Sequence, residues 1–184
     1  MAVQGDFSEH LAILKTLNVQ TREVRLPKDL EDVDGLIIPG GESTTFRKLF
    51  DIYELTDPIK RYAQSGRPIW GTCAGMIMMA QTLTDDRPEP LNLMNITVKR
   101  NAYGRQLDSF EANIPVSVIE GNPIHAIFIR APSFTYIGEN VEVIAKLNDG
   151  TPVAVKQDNM LATAFHPELT NDVRFHKFFI SLIK

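Results

Sequence analysis

Residues 68–80 read Pro-Ile-Trp-Gly-Thr-Cys-Ala-Gly-Met-Ile-Met-Met-Ala, and within them an apolar, strand-like run turns into a helix-like one. Gly71-Thr72-Cys73-Ala74-Gly75 has the form Gly-x-nucleophile-x-Gly, a sharp strand-to-helix turn that pushes its central side chain outward and leaves room only for small neighbours. Such a turn belongs to a sheet whose strands are followed by helices. The chain upstream repeats that order. Asp6, with Glu9 three residues on to reach back, predicts a capped helix over 6–17. Residues 19–26 (VQTREVRL) read as a strand, 26–34 as a connection, and 35–41 (GLIIPGG) as a short buried strand ending in a glycine turn. A helix is expected over 43–53. Another begins at Asp57, as N-cap, with Pro58 at the first helical position and Gly66 as its stop. Strands separated by helices of about ten residues indicate βαβ units, a parallel sheet and helices on both of its faces.

After the proline-rich loop 84–90 the character changes. Residues 96–100, 112–119, 125–131, 141–147, 152–157 and 160–165 are β-rich, and Asn148-Asp149-Gly150 is a hairpin signal between two of them. Antiparallel additions to the sheet follow from this. Val173, Phe175, Phe178, Phe179 and Leu182 then lie on one face of a closing helix. The expected fold is α/β, a three-layer α/β/α arrangement with a mostly parallel sheet and antiparallel additions in the C-terminal half. A single domain over 1–184 is expected, because no linker, repeat or low-complexity tract interrupts the chain.

At 184 residues a domain buries roughly 70% of its unfolded surface, enough to fold without a metal or disulfide. The net charge of −4, with lysines and arginines scattered among acids, argues against nucleic acid or an anionic membrane as partner. Apolar runs fall far short of the ~20 residues a membrane-spanning helix needs. With one cysteine and an opening MAVQGDFSEH that lacks a basic start and an apolar core, a cytoplasmic location is expected.

A helix N-terminus behind Cys73 favours the thiolate, and the same turn aims the Ala74 amide at any oxyanion formed beside the sulfur. The pentapeptide alone fits a buried, inert cysteine as well. A thiolate that takes up and returns protons needs a base, and Ala164-Phe165-His166-Pro167-Glu168-Leu169 offers one. In an extended segment residues two apart project to the same side, so Glu168 can orient His166. Taken alone, the segment reads more readily as a surface His-Pro turn. His10 and His176 sit in helix patterns and His125 in a strand, and each reads as structural or exposed. No paired ligand spacing supports a zinc site. Pro39-Gly40-Gly41-Glu42-Ser43-Thr44-Thr45 is a glycine turn opening into a helix, able to present backbone amides to an anion or a carbonyl, yet it lacks the ending of a P-loop.

Together, PGGEST (39–44), GTCAGM (71–76), RNAYGRQ (100–106), DSFEA (108–112), FIRAP (128–132) and FHPELT (165–170) resemble the class I, triad-type glutamine amidotransferases. More narrowly, GGESTT with RNAYGRQxDSFEA is similar to the glutaminase subunits of pyridoxal phosphate synthases, and the resemblance runs over nearly the whole chain. It implies a flavodoxin-like fold and an enzyme without a cofactor that hydrolyses L-glutamine to glutamate and ammonia through a cysteinyl thioester. The ammonia would pass to a separate synthase subunit in a hetero-oligomeric complex. Carried over by position, Cys73 is the nucleophile, His166 the general acid and base, and Glu168 its orienting residue. Glutamine-binding positions fall on Gly41, Glu42, Ser43, Arg100, Ile129 and Arg130, and the amides of Gly41 and Ala74 form the oxyanion hole. Either arginine would grip the substrate α-carboxylate, whereas Arg105 is assigned to structure or the partner surface. The resemblance also leads one to expect a full apolar strand before Gln4-Gly5, where only Met1-Ala2-Val3 stand, so a shortened inner strand is expected. Rival readings are a glutaminase serving another synthase, such as that of histidine biosynthesis, and a non-enzymatic binding or redox-sensing protein of flavodoxin-like fold.

Overall fold

A computed structural model describes residues 1–102 and 109–183. Arg105 lies outside the described residues. The elbow read from residues 68–80 forms as expected: β2 (Ile69–Thr72) runs into Cys73 and then α4 (Ala74–Met79), all buried. β2 is an interior strand of the main sheet, pairing in parallel with β1 (Leu36–Ile38) on one side and β10 (Met160–Thr163) on the other. β10 is followed outward by β9 (Pro152–Gln157) and β8 (Glu142–Lys146), both added antiparallel, giving the order β1-β2-β10-β9-β8. The β8–β9 hairpin closes at the predicted turn, with Gly150 at φ +88 and its amide donating to the Leu147 carbonyl at 2.9 Å.

Neighbouring residues of a strand point to opposite faces, and β2 uses this to hold two helical layers. Trp70 faces α5 (Arg174–Ser181), its ring 5.8 Å from Phe175 and 5.6 Å from Phe179, and lies 5.6 Å from His10 of α1 (Phe7–Thr16). Gly71 faces the other way, against the backbone of α4, which also packs on α2 (Ser43–Ile52). α3 (Thr56–Gln64) buries Ile59 and Tyr62 in the same apolar core. Two smaller sheets complete the described structure. β3 (Ala80–Leu83), β4 (Met94–Lys99) and β7 (Ser133–Ile137) form one, and β5 (Ser109–Ile114) with β6 (Ile124–Ile129) the other.

Several local expectations need correction. Residues 19–26 form no strand. Their expected neighbour offers too little backbone: the Ala2 amide donates to the Val24 carbonyl at 2.8 Å and the Met1 ammonium to the Ile37 carbonyl at 2.7 Å, one bond on each side. A single bond does not make a ladder. The ammonium is fully buried, and burial pulls its pKa down to about 5. Asp6 precedes α1 but makes no side-chain cap, and Glu9 instead accepts from Ser8 Oγ at 2.7 Å. α3 begins at Thr56, so Asp57 lies inside its first turn, where a carboxylate still suits the helix dipole. Among the described residues no helix is long and apolar enough to cross a membrane.

Candidate active site

Cys73 sits at φ +48, a left-handed conformation that costs a non-glycine residue roughly 1–2 kcal/mol. The surroundings hold it there: its amide donates to the Thr163 carbonyl of β10 at 2.8 Å, and its carbonyl accepts from the Ile77 amide of α4 at 3.2 Å. Glycines on either side make the geometry possible. A Cβ on Gly71 would lie 2.5 Å from the Gly75 carbonyl carbon, and one on Gly75 would lie 1.9 Å from the Ile38 oxygen. The turn therefore packs α4 directly on β1 and sends the Cys73 side chain the other way. Its Sγ is 3.8 Å from the Ile129 carbonyl oxygen at the end of β6.

His166 reaches the sulfur from a different part of the chain. Its amide donates to the Ile127 carbonyl of β6 at 2.8 Å, and Pro167 then starts a short 3-10 turn that swings Glu168 back under the ring. Nδ1 of His166 lies 2.7 Å from Glu168 Oε1, brought there by the 3-10 turn and not by an extended segment. Nε2 is left for Cys73. Burial opposes a charged ring, but hydrogen bonding and charge from Cys73 and Glu168 outweigh it and raise the His166 pKa from 6.5 to about 10. The ring is thus held as an imidazolium. Burial pushes the Glu168 carboxyl up, and its contact with His166 pulls it back.

Two features of this cluster escape a reading by sequence. Gly40 gives the His166 ring its seat, since a Cβ there would stand 2.3 Å from Cε1. Asp6, read as a helix cap, turns instead toward the ring, with Oδ2 3.6 Å from Nδ1. An imidazolium between two carboxylates explains why its side chain leaves the helix end. Asp6, His166 and Glu168 offer ligand atoms within 4.8 Å of one another, the sole such group among the described residues. A ring protonated on Nδ1 toward Glu168 has no lone pair there for a metal.

The other expected positions fall into two sets. Arg100 Nη1 donates to Ser43 Oγ at 3.2 Å, and its Nε is 3.5 Å from Asp85 Oδ2, so a guanidinium stands at the N-terminus of α2. Glu42 is that helix's N-cap: its carboxylate accepts from the Thr44 and Thr45 amides at 3.1 and 2.7 Å and from both hydroxyls. Burial raises its pKa, but these hydrogen bonds win and lower it. The Glu42 side chain is thus committed to the helix. Gly41, at φ +144, faces the Gln4 amide: Nε2 of Gln4 donates to the Glu42 carbonyl at 3.1 Å, and its Oε1 accepts from the Glu42 amide at 3.4 Å. Ile129 joins Cys73 through its carbonyl, while Arg130 is exposed at φ +44 just beyond it. Ala74 opens α4, where the first amides have no partner within the helix.

Comparison with known proteins gives the relatives of the chain. The family model described as "SNO glutamine amidotransferase family" matches residues 1–184. The chain is 54% identical over 185 residues to the pyridoxal 5'-phosphate synthase subunit PdxT of Herpetosiphon aurantiacus, covering 99% of this chain and 97% of that one. It is 52% identical to the subunit of the same name from Dehalococcoides mccartyi, strain 195, covering 100% and 95%. A solved glutamine amidotransferase superposes with a TM-score of 0.92 at 43% identity, over 98% of this chain and 95% of that one. PurLQS from Thermotoga maritima, at 15% identity and a TM-score of 0.75 over 100% and 96%, shares the fold.

Proposed function

The chain belongs to the SNO glutamine amidotransferase family, and from that premise we propose that it is the glutaminase subunit of a pyridoxal 5'-phosphate synthase, with Cys73, His166 and Glu168 as its triad. The whole chain, 1–184, acts as one glutaminase domain. It hydrolyses L-glutamine to glutamate and ammonia and hands the ammonia to a synthase subunit for vitamin B6 synthesis. We place this work in the cytoplasm, where a free thiol stays reduced. The observation that carries the reading is the position of the His166 ring, which meets Glu168 Oε1 through Nδ1 at 2.7 Å and hydrogen-bonds the Cys73 sulfur on its other side.

The chemistry follows from those contacts. The Cys73 thiolate attacks the side-chain amide carbon of glutamine, and the carbonyl π electrons move to oxygen. Amides of Gly41 and Ala74 receive that oxyanion; one such donor is typically worth about 3–4 kcal/mol of barrier. Nε2–H of His166 gives its proton to the departing nitrogen, which leaves as ammonia as the tetrahedral carbon collapses to a γ-glutamyl thioester. Neutral His166 then takes a proton from water, and the hydroxide displaces the thiolate to give glutamate. Glu168 keeps the proton on Nδ1 throughout. Arg100, which contacts Ser43 and Asp85, or Arg130, next in the chain after Ile129, supplies charge for the α-carboxylate of the substrate.

Gln4 grips the Glu42 backbone beside Gly41, so anything that docks near Gln4 acts directly on the oxyanion-hole peptide. Synthase binding is therefore expected to raise the glutaminase rate by about 10²- to 10³-fold, since a single oxyanion donor turned inward is worth that much. Ammonia release assayed with the chain alone, with a pyridoxal 5'-phosphate synthase subunit, and with an unrelated acceptor subunit tests this. Stimulation confined to the first partner is the expected result. Equal rates in all three would contradict the assignment of partner.

A further inference from the structure

Behind the triad lies a second line of buried polar groups that the reaction as described does not use. Glu168 is 5% exposed, and only one of its oxygens is explained by His166. The other, Oε2, makes no hydrogen bond within ordinary limits among the described residues, and His10 Nε2 stands 3.5 Å from it. His10, 3% exposed on α1, also has Nε2 3.4 Å from Thr72 Oγ1 and Nδ1 2.9 Å from His176 Nε2. His176 is fully buried on α5 beside Trp70, at 5.0 Å between rings, and its Nδ1 has no partner among the described residues.

Each neutral imidazole carries one N–H, so only two orders are open to this chain. If His10 donated from Nδ1 to His176, its Nε2 would turn a lone pair on the Glu168 carboxylate, and His176 would be left with a bare N–H on Nδ1. If His176 donates from Nε2 to His10 Nδ1, then the His10 Nε2–H is turned toward both Thr72 Oγ1 at 3.4 Å and Glu168 Oε2 at 3.5 Å, and among the nitrogens of the two rings the one left unmet is a lone pair on His176 Nδ1. The second order has one fault where the first has several, and orphaned buried N–H groups are the rarer kind. Both rings are neutral, as it requires: burial pulls the His10 pKa well below 6.5 and that of His176 down to about 4.

We propose that His10, ordered by His176, is a positioning residue for glutamine hydrolysis: its Nε2–H holds Glu168 Oε2, so that both carboxylate oxygens are fixed and the His166 proton stays on Nδ1. The proposal rests on the reading of Cys73, His166 and Glu168 as the triad. With one oxygen free, the carboxylate rotates and His166 loses its fixed aim at the sulfur. The charged and titratable groups around Glu168 are His166 on its own segment, His10 on α1 and Asp6 before it. The Met1 ammonium, His176 on α5 and Cys73 on the elbow stand behind these. Deleting the His10 donor leaves burial and the Asp6 charge unopposed on that side, so Glu168 takes up its proton at higher pH.

The test combines kinetics of the chain in complex with its synthase partner and 15N imidazole spectra of the chain itself. His10→Leu is expected to lower kcat roughly 10- to 100-fold with KM unchanged, on the scale of losing a hydrogen bond that orients a catalytic histidine, and to move the acidic limb of the pH–rate profile upward. His10→Gln, whose amide can donate to Glu168 and accept from His176, should restore most of the rate. The wild-type spectrum should show His10 protonated on Nε2 and bare on Nδ1. A proton on His10 Nδ1, or a folded His10→Leu chain with unchanged kcat and acidic limb, would overturn the proposal. Should His10→Leu fail to fold, the spectrum and the His10→Gln profile decide it. A wild-type complex that releases no ammonia would overturn the triad reading instead, and the tautomer spectrum would still decide the hydrogen-bond order.

Discussion

Replacing Cys73 with alanine is expected to lower glutamine hydrolysis by about 10⁴-fold or more, while the melting temperature moves by no more than about 3 °C. The two halves of this expectation come from different atoms. Activity rests on Sγ, which alone can form the thioester, and a 10⁴-fold loss corresponds to about 5.5 kcal/mol of barrier. Stability rests on the backbone: the amide and carbonyl of residue 73 hold Thr163 and Ile77, and alanine keeps both bonds and the same positive φ. The sulfur's contact with the Ile129 carbonyl, at 3.8 Å, is too long to matter much for folding. The variant also removes one of the two partners that raise His166 to about 10, so the ring should titrate at lower pH. Steady-state ammonia release, a thermal melt and an NMR titration of His166 check these points. A Cys73→Ala chain that kept a tenth of the wild-type rate would show that another group attacks the amide.

Gly75→Ala should do the opposite, damaging the fold first. Alanine in a helix is ordinarily better than glycine by about 1 kcal/mol. Here the new Cβ would lie 1.9 Å from the Ile38 oxygen, 2.8 Å from its carbonyl carbon and 3.2 Å from its Cβ, in the buried contact between α4 and β1. Backbone atoms cannot turn aside as a flexible side chain can, so helix and strand must part. Overpacking on this scale costs about 3 kcal/mol or more, which overwhelms the helix gain and lowers the melting temperature by about 6–12 °C in a chain of this size. Activity should fall with it, because Cys73 takes its position from the same helix. Gly66→Ala is the control: Gly66 has φ +77 but open space around it, so only the backbone term of roughly 1–2 kcal/mol applies. Equal melting temperatures for the two variants would contradict the close-packing account of the elbow.

The elbow, the glycine turn and the C-terminal strands were legible because each rests on local chemistry. Gly71 and Gly75 declare a crowded turn, Asn148-Asp149-Gly150 declares a hairpin, and His166 and Glu168 declare a pair by their nearness in sequence. What stayed hidden depends on contacts between distant residues. Val19–Leu26 alternates like a strand, yet a strand exists only if a neighbour supplies a ladder, and Ala2 supplies a single bond. Asp6 has the composition and place of an N-cap, but a charged ring from the other end of the chain outbids the helix for its carboxylate. Gly40 looks like half of a glycine turn until His166 is set against it. His10 and His176 read as helix residues because their pattern reports burial alone. Their meaning comes from Glu168 lying between two elements that the sequence keeps far apart. β3 and β7 are short, and neither Gln81-Thr82 nor Thr135-Tyr136 separates them from loop by periodicity.

The most direct test is to treat the protein, together with its synthase partner, with an electrophilic glutamine analogue and to map the adduct by peptide mass spectrometry. The account predicts one adduct, on the peptide carrying Cys73, formed more slowly when L-glutamine is present in excess and absent from Cys73→Ala. No adduct at Cys73, or one whose formation ignores glutamine, would contradict the claim that this sulfur attacks the amide of bound glutamine.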